Sequence, residues 1–146
     1  MAKMSLLWPD TINDQRTIWT RSLGPCQCLA TFDMATGDRS MIHLPAGTTT
    51  ELLNDMIAGM AAGTVDIVIF IVNGDVGSQD HFENTEVPKF KKDIIDGLKR
   101  ANKEHVVPRL RWITLWTDRV EDERRGTVPG TFVLEPNGRY GRGKPN

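Results

Sequence analysis

The chain has 146 residues, enough for one hydrophobic core, and 39% apolar with 25% charged residues is the balance of an ordinary globular domain. Lys and Arg number 18 against 19 Asp and Glu, and the resulting net charge of −1 excludes a general attraction to nucleic acid or to an anionic membrane. The longest apolar run, 65–72, is too short to cross a bilayer, and Pro9-Asp10 cut off the first apolar residues before a signal-peptide core can form, so one cytoplasmic domain over 1–146 is expected.

In chain order, residues 1–14 carry little periodicity, and Pro9, Asp10 and Asn13-Asp14 are turn chemistry. QRTIWTR, 15–21, is rich in β-branched and aromatic types and predicts a short strand. Gly24-Pro25 breaks the chain. A second strand follows over 28–33, then a turn at 35–38 in which Gly37 is free to take positive φ, then a third strand over 39–44. Thr48 and Glu51 have capping-box spacing, and Leu52, Leu53, Met56, Ile57 and Met60 recur with helical period up to Gly63. The run 65–72 predicts a central strand buried on both faces, leading into an Asn73-Gly74-Asp75-Val76-Gly77 loop. A second helix is predicted over 85–102, with Pro88 in its first turn and Phe90, Ile94, Leu98 and Ala101 as its apolar stripe. Strands over 110–117 and 131–135 enclose a charged loop at 118–125. Pro136-Asn137-Gly138 is a hairpin turn, and the basic, Gly-rich residues beyond it are expected to fray. This order of elements predicts an α+β fold, a layered, β-sandwich-like sheet domain with two helices packed on one side.

Cys26 and Cys28 are the chain's only cysteines. One residue apart on extended chain, they do not meet disulfide geometry. A Cys-x-Cys metal half-site needs further Cys or His nearby, and none clusters there, so neither metal nor cofactor is expected. Both thiols can be inert core residues. Alternatively, a thiol nucleophile needs a base within reach and donors for an oxyanion. Cys26 follows the Gly24-Pro25 turn, which can leave backbone N–H groups near Cys26 and Gln27 free. His43 is the only histidine on a predicted strand, since His81 and His105 fall in or beside predicted loops. If the second and third strands pair as a hairpin, Cys26 and His43 lie near the same end of it.

The segment Thr20-Arg21-Ser22-Leu23-Gly24-Pro25-Cys26 resembles the Thr-x-x-Leu-Gly-x-Cys nucleophile motif of the chemoreceptor glutamine deamidases, the CheD family. Phe32-Asp33, Met41-Ile42-His43 and Leu44-Pro45 match the family's following strand end, Met-Ala-His strand and Leu-Pro closure, and the Cys26-to-His43 separation is the one that pattern requires. The motif covers 20–45, and the later helices, strand and hairpin follow in the family's order. The resemblance implies a CheD-like fold, shared with the deamidase domain of cytotoxic necrotizing factor toxins. It also implies a cysteine amidohydrolase acting on a glutamine of a partner protein, with a role of the chemotaxis kind and a regulatory protein partner. Carried over, Cys26 is the nucleophile, His43 the base and Thr20 the residue that orients the imidazole, with backbone support from Gly24 and Gln27. The chain departs from the family where Arg39-Ser40 replaces Gly-Gly, where Leu44-Pro45 follows His43 at once, and where Pro25 replaces Ser. Those departures are expected to reshape the rim of the cleft, and they define the alternative: a catalytically inactive CheD-like module that binds a protein.

Other features carry less chemistry. Asp80-His81-Phe82-Glu83 has no ligand spacing and is expected to be a polar loop. The loop after the 65–72 strand lacks phosphate-loop patterns. Trp8, Trp19, Trp112 and Trp116 are expected in the core or half-buried on strands. The loop 118–125 is expected to be solvated or to form a lip over the cleft, and Arg139, Arg142 and Lys144 are too few for a nucleic-acid site.

Overall fold

A computed structural model describes residues 2–3, 11–12, 18–20, 27–44, 66–73, 78–116, 124, 126 and 131–142. The expected helix at 48–63, the Leu23-Gly24-Pro25-Cys26 turn, Trp8 and most of the 118–125 loop lie outside the described residues.

The strands are β1 (Ala2–Lys3), β2 (Thr11–Ile12), β3 (Ile18–Thr20), β4 (Gln27–Asp33), β5 (Arg39–Leu44), β6 (Ile67–Asn73), β7 (Leu110–Trp116), β8 (Phe132–Leu134) and β9 (Tyr140–Arg142). One sheet has the order β1-β3-β8-β9 and the other β2-β5-β4-β6-β7. The main helix, α1 (Val87–Arg100), connects β6 to β7, which pair in parallel, so the three elements form a strand–helix–strand crossover.

The sequence IVIFIVN of β6 is almost wholly apolar because both its edges are paired and both its faces are covered. Alternation along the strand sends Ile67, Ile69 and Ile71 into one cluster, with Leu29 of β4 and Val87, Phe90, Ile94 and Leu98 of α1. Phe70 and Val72 go the other way and meet Cys28, Ala30 and Met41 of their own sheet and Ile18, Phe132 and Leu134 of the second sheet. The layers are therefore sheet, sheet, helix, a mixed α+β fold in which the five-stranded sheet is the middle layer.

The β4–β5 hairpin closes as its residues dictate. Gly37 has φ 76, and the Asp33 carboxylate accepts hydrogen bonds from the backbone N–H groups of Ala35 (2.8 Å) and Thr36 (3.3 Å). Inside the ladder, Thr31 and Ser40 stand opposite each other and their buried hydroxyls hydrogen-bond. The β8–β9 hairpin turns at Gly138, with φ 87.

Several expectations are corrected. The helical run does not begin at Thr85. It begins at Gln79, with the Ser78 hydroxyl accepting the His81 N–H at 3.0 Å, and passes through a turn (Gln79–His81) and a π turn (Phe82–Glu86) before α1. Pro88 has no N–H and would clash with a carbonyl four residues back in a regular helix, and the wider π turn lies where that strain falls. Asp80-His81-Phe82-Glu83 is thus helical rather than a loop, and Phe82 is fully buried. His105 lies in a 3₁₀ helix, Glu104–Arg109, which no periodicity announces. Tyr140–Arg142 pairs with β8 instead of fraying. α1 ends one residue before Ala101, where Asn102 takes φ 58 and Lys103 N–H donates to the Leu98 carbonyl at 2.8 Å.

Candidate functional site

Four strand ends meet at one edge of the middle sheet. Gln27 begins β4 and pairs with Leu44, which ends β5, and with Asn73, which ends β6; Asn73 in turn pairs with Trp116, which ends β7. Gln27 is two residues from Leu29 and Asn73 two from Ile71, so both side chains fall on the helix side of the sheet. There they meet Glu86, the last residue of the π turn. One oxygen of the half-buried Glu86 carboxylate, Oε2, accepts hydrogen bonds from Gln27 Nε2 at 2.6 Å and from Asn73 Nδ2 at 3.2 Å. Its other oxygen lies 3.8 Å from Nε2 of the exposed His81, an ion pair when the imidazole is protonated. Both amide donors aim at a charged acceptor, which gives the stronger kind of hydrogen bond. Phe82 packs beneath this corner, its ring centroid 5.8 Å from that of Trp116.

The sequence-predicted residues are distributed as follows. Gln27 belongs to the corner just described. His43 is on β5, and its backbone register sets it opposite Cys28, one position inside Gln27↔Leu44. Thr20 ends β3 in the other sheet, opposite Phe132, and is fully buried. β3 passes close to β5, the strand that carries His43. Cys26 and Gly24 lie outside the described residues.

Cys28 is a core residue. It has no solvent exposure and sits among Ala30, Met41, Phe70 and Val72, and burial pushes its thiol far above the ordinary range. A thiol held protonated in an apolar interior is inert as a nucleophile. Arg39 and Ser40 are not on a rim beside His43. They pair with Phe32 and Thr31 at the turn end of the β4–β5 ladder, and both are buried. From Cys28 to Phe32 an antiparallel strand runs roughly 14 Å.

Among the described residues, no group of three or more His, Cys, Asp or Glu could hold a metal ion, and no helix is long and apolar enough to cross a membrane. Trp112 and Trp116 are half-buried against the helix-side core, as expected for strand residues. Glu86 and His81 were not legible as site residues. Asn73 did carry a signal, a polar residue ending an otherwise apolar strand and left 5% exposed.

No family model and no curated protein matches the chain.

Proposed function

We propose that the protein is a cysteine amidohydrolase that deamidates a glutamine side chain on a partner protein in the cytoplasm, through Cys26, His43 and Thr20. The observation that carries the proposal is the β4–β5 register. Gln27↔Leu44 and Cys28↔His43 set His43 within one position of the strand end to which Cys26 is directly bonded in the chain. The resemblance of 20–45 to the CheD motif supports the same reading, and the sheet–sheet–helix layering is compatible with the CheD-like fold that resemblance implies. The inert Cys28 leaves Cys26 as the thiol available for chemistry.

In this mechanism His43 takes the Cys26 proton, and the thiolate adds to the carboxamide carbon of the substrate glutamine. Backbone N–H groups near Cys26 hold the oxyanion. Collapse of the tetrahedral adduct breaks the C–N bond, and His43 returns its proton to the leaving ammonia. A water deprotonated by His43 then adds to the thioester, which splits to a glutamate side chain and the Cys26 thiol. Thr20 orients the imidazole. The partner gains one negative charge, which is the signal. No metal or redox cofactor enters these steps.

The test is the rate of iodoacetamide labelling of each cysteine against pH, in the wild type and in His43→Ala. The proposal expects Cys26 to label fast with an apparent pKa below the ~8.5 of a free thiol, and His43→Ala to abolish that depression. Labelling no faster than a free thiol, unchanged by His43→Ala, leaves the inactive protein-binding module as the reading. The Arg39-Ser40 departure gives that alternative little support, because both residues are buried at the far end of the ladder.

A further inference from the structure

We infer that the protein forms a symmetric dimer through β7, this edge strand of the five-stranded sheet joining antiparallel to the same strand of a second copy. Among the described residues the two sheets have four edge strands. Three of them are too short to template pairing: β1 and β2 have two residues each, and β9 has three, with Gly141 at its centre. β7 runs seven residues, and its register with β6 advances one for one from Ile67↔Leu110 to Asn73↔Trp116, with no bulge. An edge strand offers its outer backbone N–H and C=O groups to any strand that reaches it, and proteins discourage this with short edges, charged side chains, Pro or bulges. The sequence LRWITLW holds no Pro, Lys or acidic residue. Its one charge, Arg111, is ion-paired to Asp66, the residue before β6, which draws the guanidinium toward the inner neighbour and away from the outer edge.

Self-complementarity selects a second copy over a foreign strand. A twofold axis normal to the sheet at Thr114 sets Ile113 opposite the second copy's Leu115, and Trp112 opposite the second copy's Trp116. Such an axis keeps the two faces of the sheet distinct. Trp112 and Trp116 both pack on the helix-side cluster, and Ile113 and Leu115 both pack on the cluster between the sheets. Each opposed pair is therefore apolar and lies on one face. All four side chains are only half-buried in the single chain, and pairing covers them further. Thr114, exposed at the axis, meets its own copy, a favourable cross-strand pair. Charge agrees with this match. Arg111 falls outside the five matched residues, no carboxylate lies within them, and a net charge of −1 gives two copies little mutual repulsion. One strand edge is a small contact, so the association is expected to be reversible and to grow with concentration. It uses none of Thr20, Cys26 and His43, and stands apart from the function proposed above.

The test is sedimentation equilibrium of the full chain from low to several hundred micromolar. The samples are the wild type, Thr114→Lys, Thr114→Glu, and an equimolar mixture of the two variants. Thr114 is exposed, so both changes are expected to leave the monomer folded, which urea unfolding checks. The wild type is expected to pass from monomer to dimer. Each variant alone sets like charges face to face at the axis and is expected to raise the dissociation constant roughly three- to tenfold. The mixture, with Lys opposite Glu, is expected to recover the association. Amide hydrogen exchange of the wild type needs no variant: the outward-facing amides between Trp112 and Leu115 are expected to slow as concentration rises. A dimer indifferent to Thr114, a mixture that associates no better than either variant, or amides that ignore concentration overturns the inference. A monomer at every concentration also overturns it, and leaves the edge to a strand of another protein.

Discussion

Across the β4–β5 ladder His43 stands opposite Cys28, and Cys28 is sealed between the two sheets. Burial raises the Cys28 thiol far above the ordinary thiol range, so the folded protein keeps its proton where the unfolded chain loses it. The sign follows directly. Below the unfolded value both states are protonated and Cys28 makes no pH-dependent contribution. Above it the unfolded state binds fewer protons, and stability falls with rising pH by up to about 1.4 kcal/mol per unit. Urea unfolding of wild type and Cys28→Ala between neutral pH and pH 10.5 checks this. Cys28→Ala is expected to be less stable by about 1 kcal/mol at neutral pH and to lose that share of the alkaline decline.

Gly138 lies against the ring of Phe32. A Cβ at position 138 would sit 2.7 Å from the nearest ring atom, and the backbone there has φ 87. Gly138→Ala therefore meets both backbone strain and a clash, and a loss of about 1–3 kcal/mol is expected by urea denaturation. In a Phe32→Leu background the clash part is relieved and the loss should shrink toward the backbone part alone.

The Thr31 and Ser40 hydroxyls satisfy each other inside the sheet. Removing one strands the other without water. Thr31→Val is expected to cost about 1–3 kcal/mol, whereas Thr31→Val/Ser40→Ala together should cost clearly less than the sum of the single changes. A double-mutant cycle measured by chemical denaturation gives the coupling directly; simple additivity would show that the pair does not act as one unit.

Phe82 anchors the π turn beneath the Gln27–Asn73–Glu86 corner. Phe82→Ala is expected to destabilise by about 3–5 kcal/mol. Because its ring packs on Trp116, the difference emission spectrum should also show Trp116 moving to a wetter environment. A loss under 1 kcal/mol with unchanged emission would mean that the turn is held from elsewhere.

What the chain reveals by pattern alone follows the strength of each period. The β4–β5 hairpin, β6, α1 and β7 each carry a repeating apolar signal or a firm turn residue, and each lies within a residue or two of its expected place. β1 and β2 are two residues long, too short to show any period. The turns before α1 are hidden because Gln79, Asp80, His81, Glu83, Asn84 and Thr85 are exposed and only Phe82 is buried. The division into two sheets is also illegible, since β3 pairs with β8 from the far side of the chain and alternation says nothing about partners. Of the site, the motif points to Thr20, Cys26 and His43. Glu86 is invisible because its bonds to Gln27 and Asn73 come from where a wide turn aims it, and no local pattern encodes that.

The pairing of β3 with β8 has a consequence for how the protein is made. Synthesis delivers β4, β5, β6, α1 and β7 first, and these can assemble while the chain is still emerging. Until Phe132 and Leu134 arrive, one side of that sheet presents Cys28, Ala30, Met41, Phe70 and Val72 with no complete cover. A nascent chain stalled short of Thr131 is therefore the species most in need of a holdase chaperone. Truncation at the same point should raise the tendency to aggregate, although every residue of the corner at Glu86 is already present.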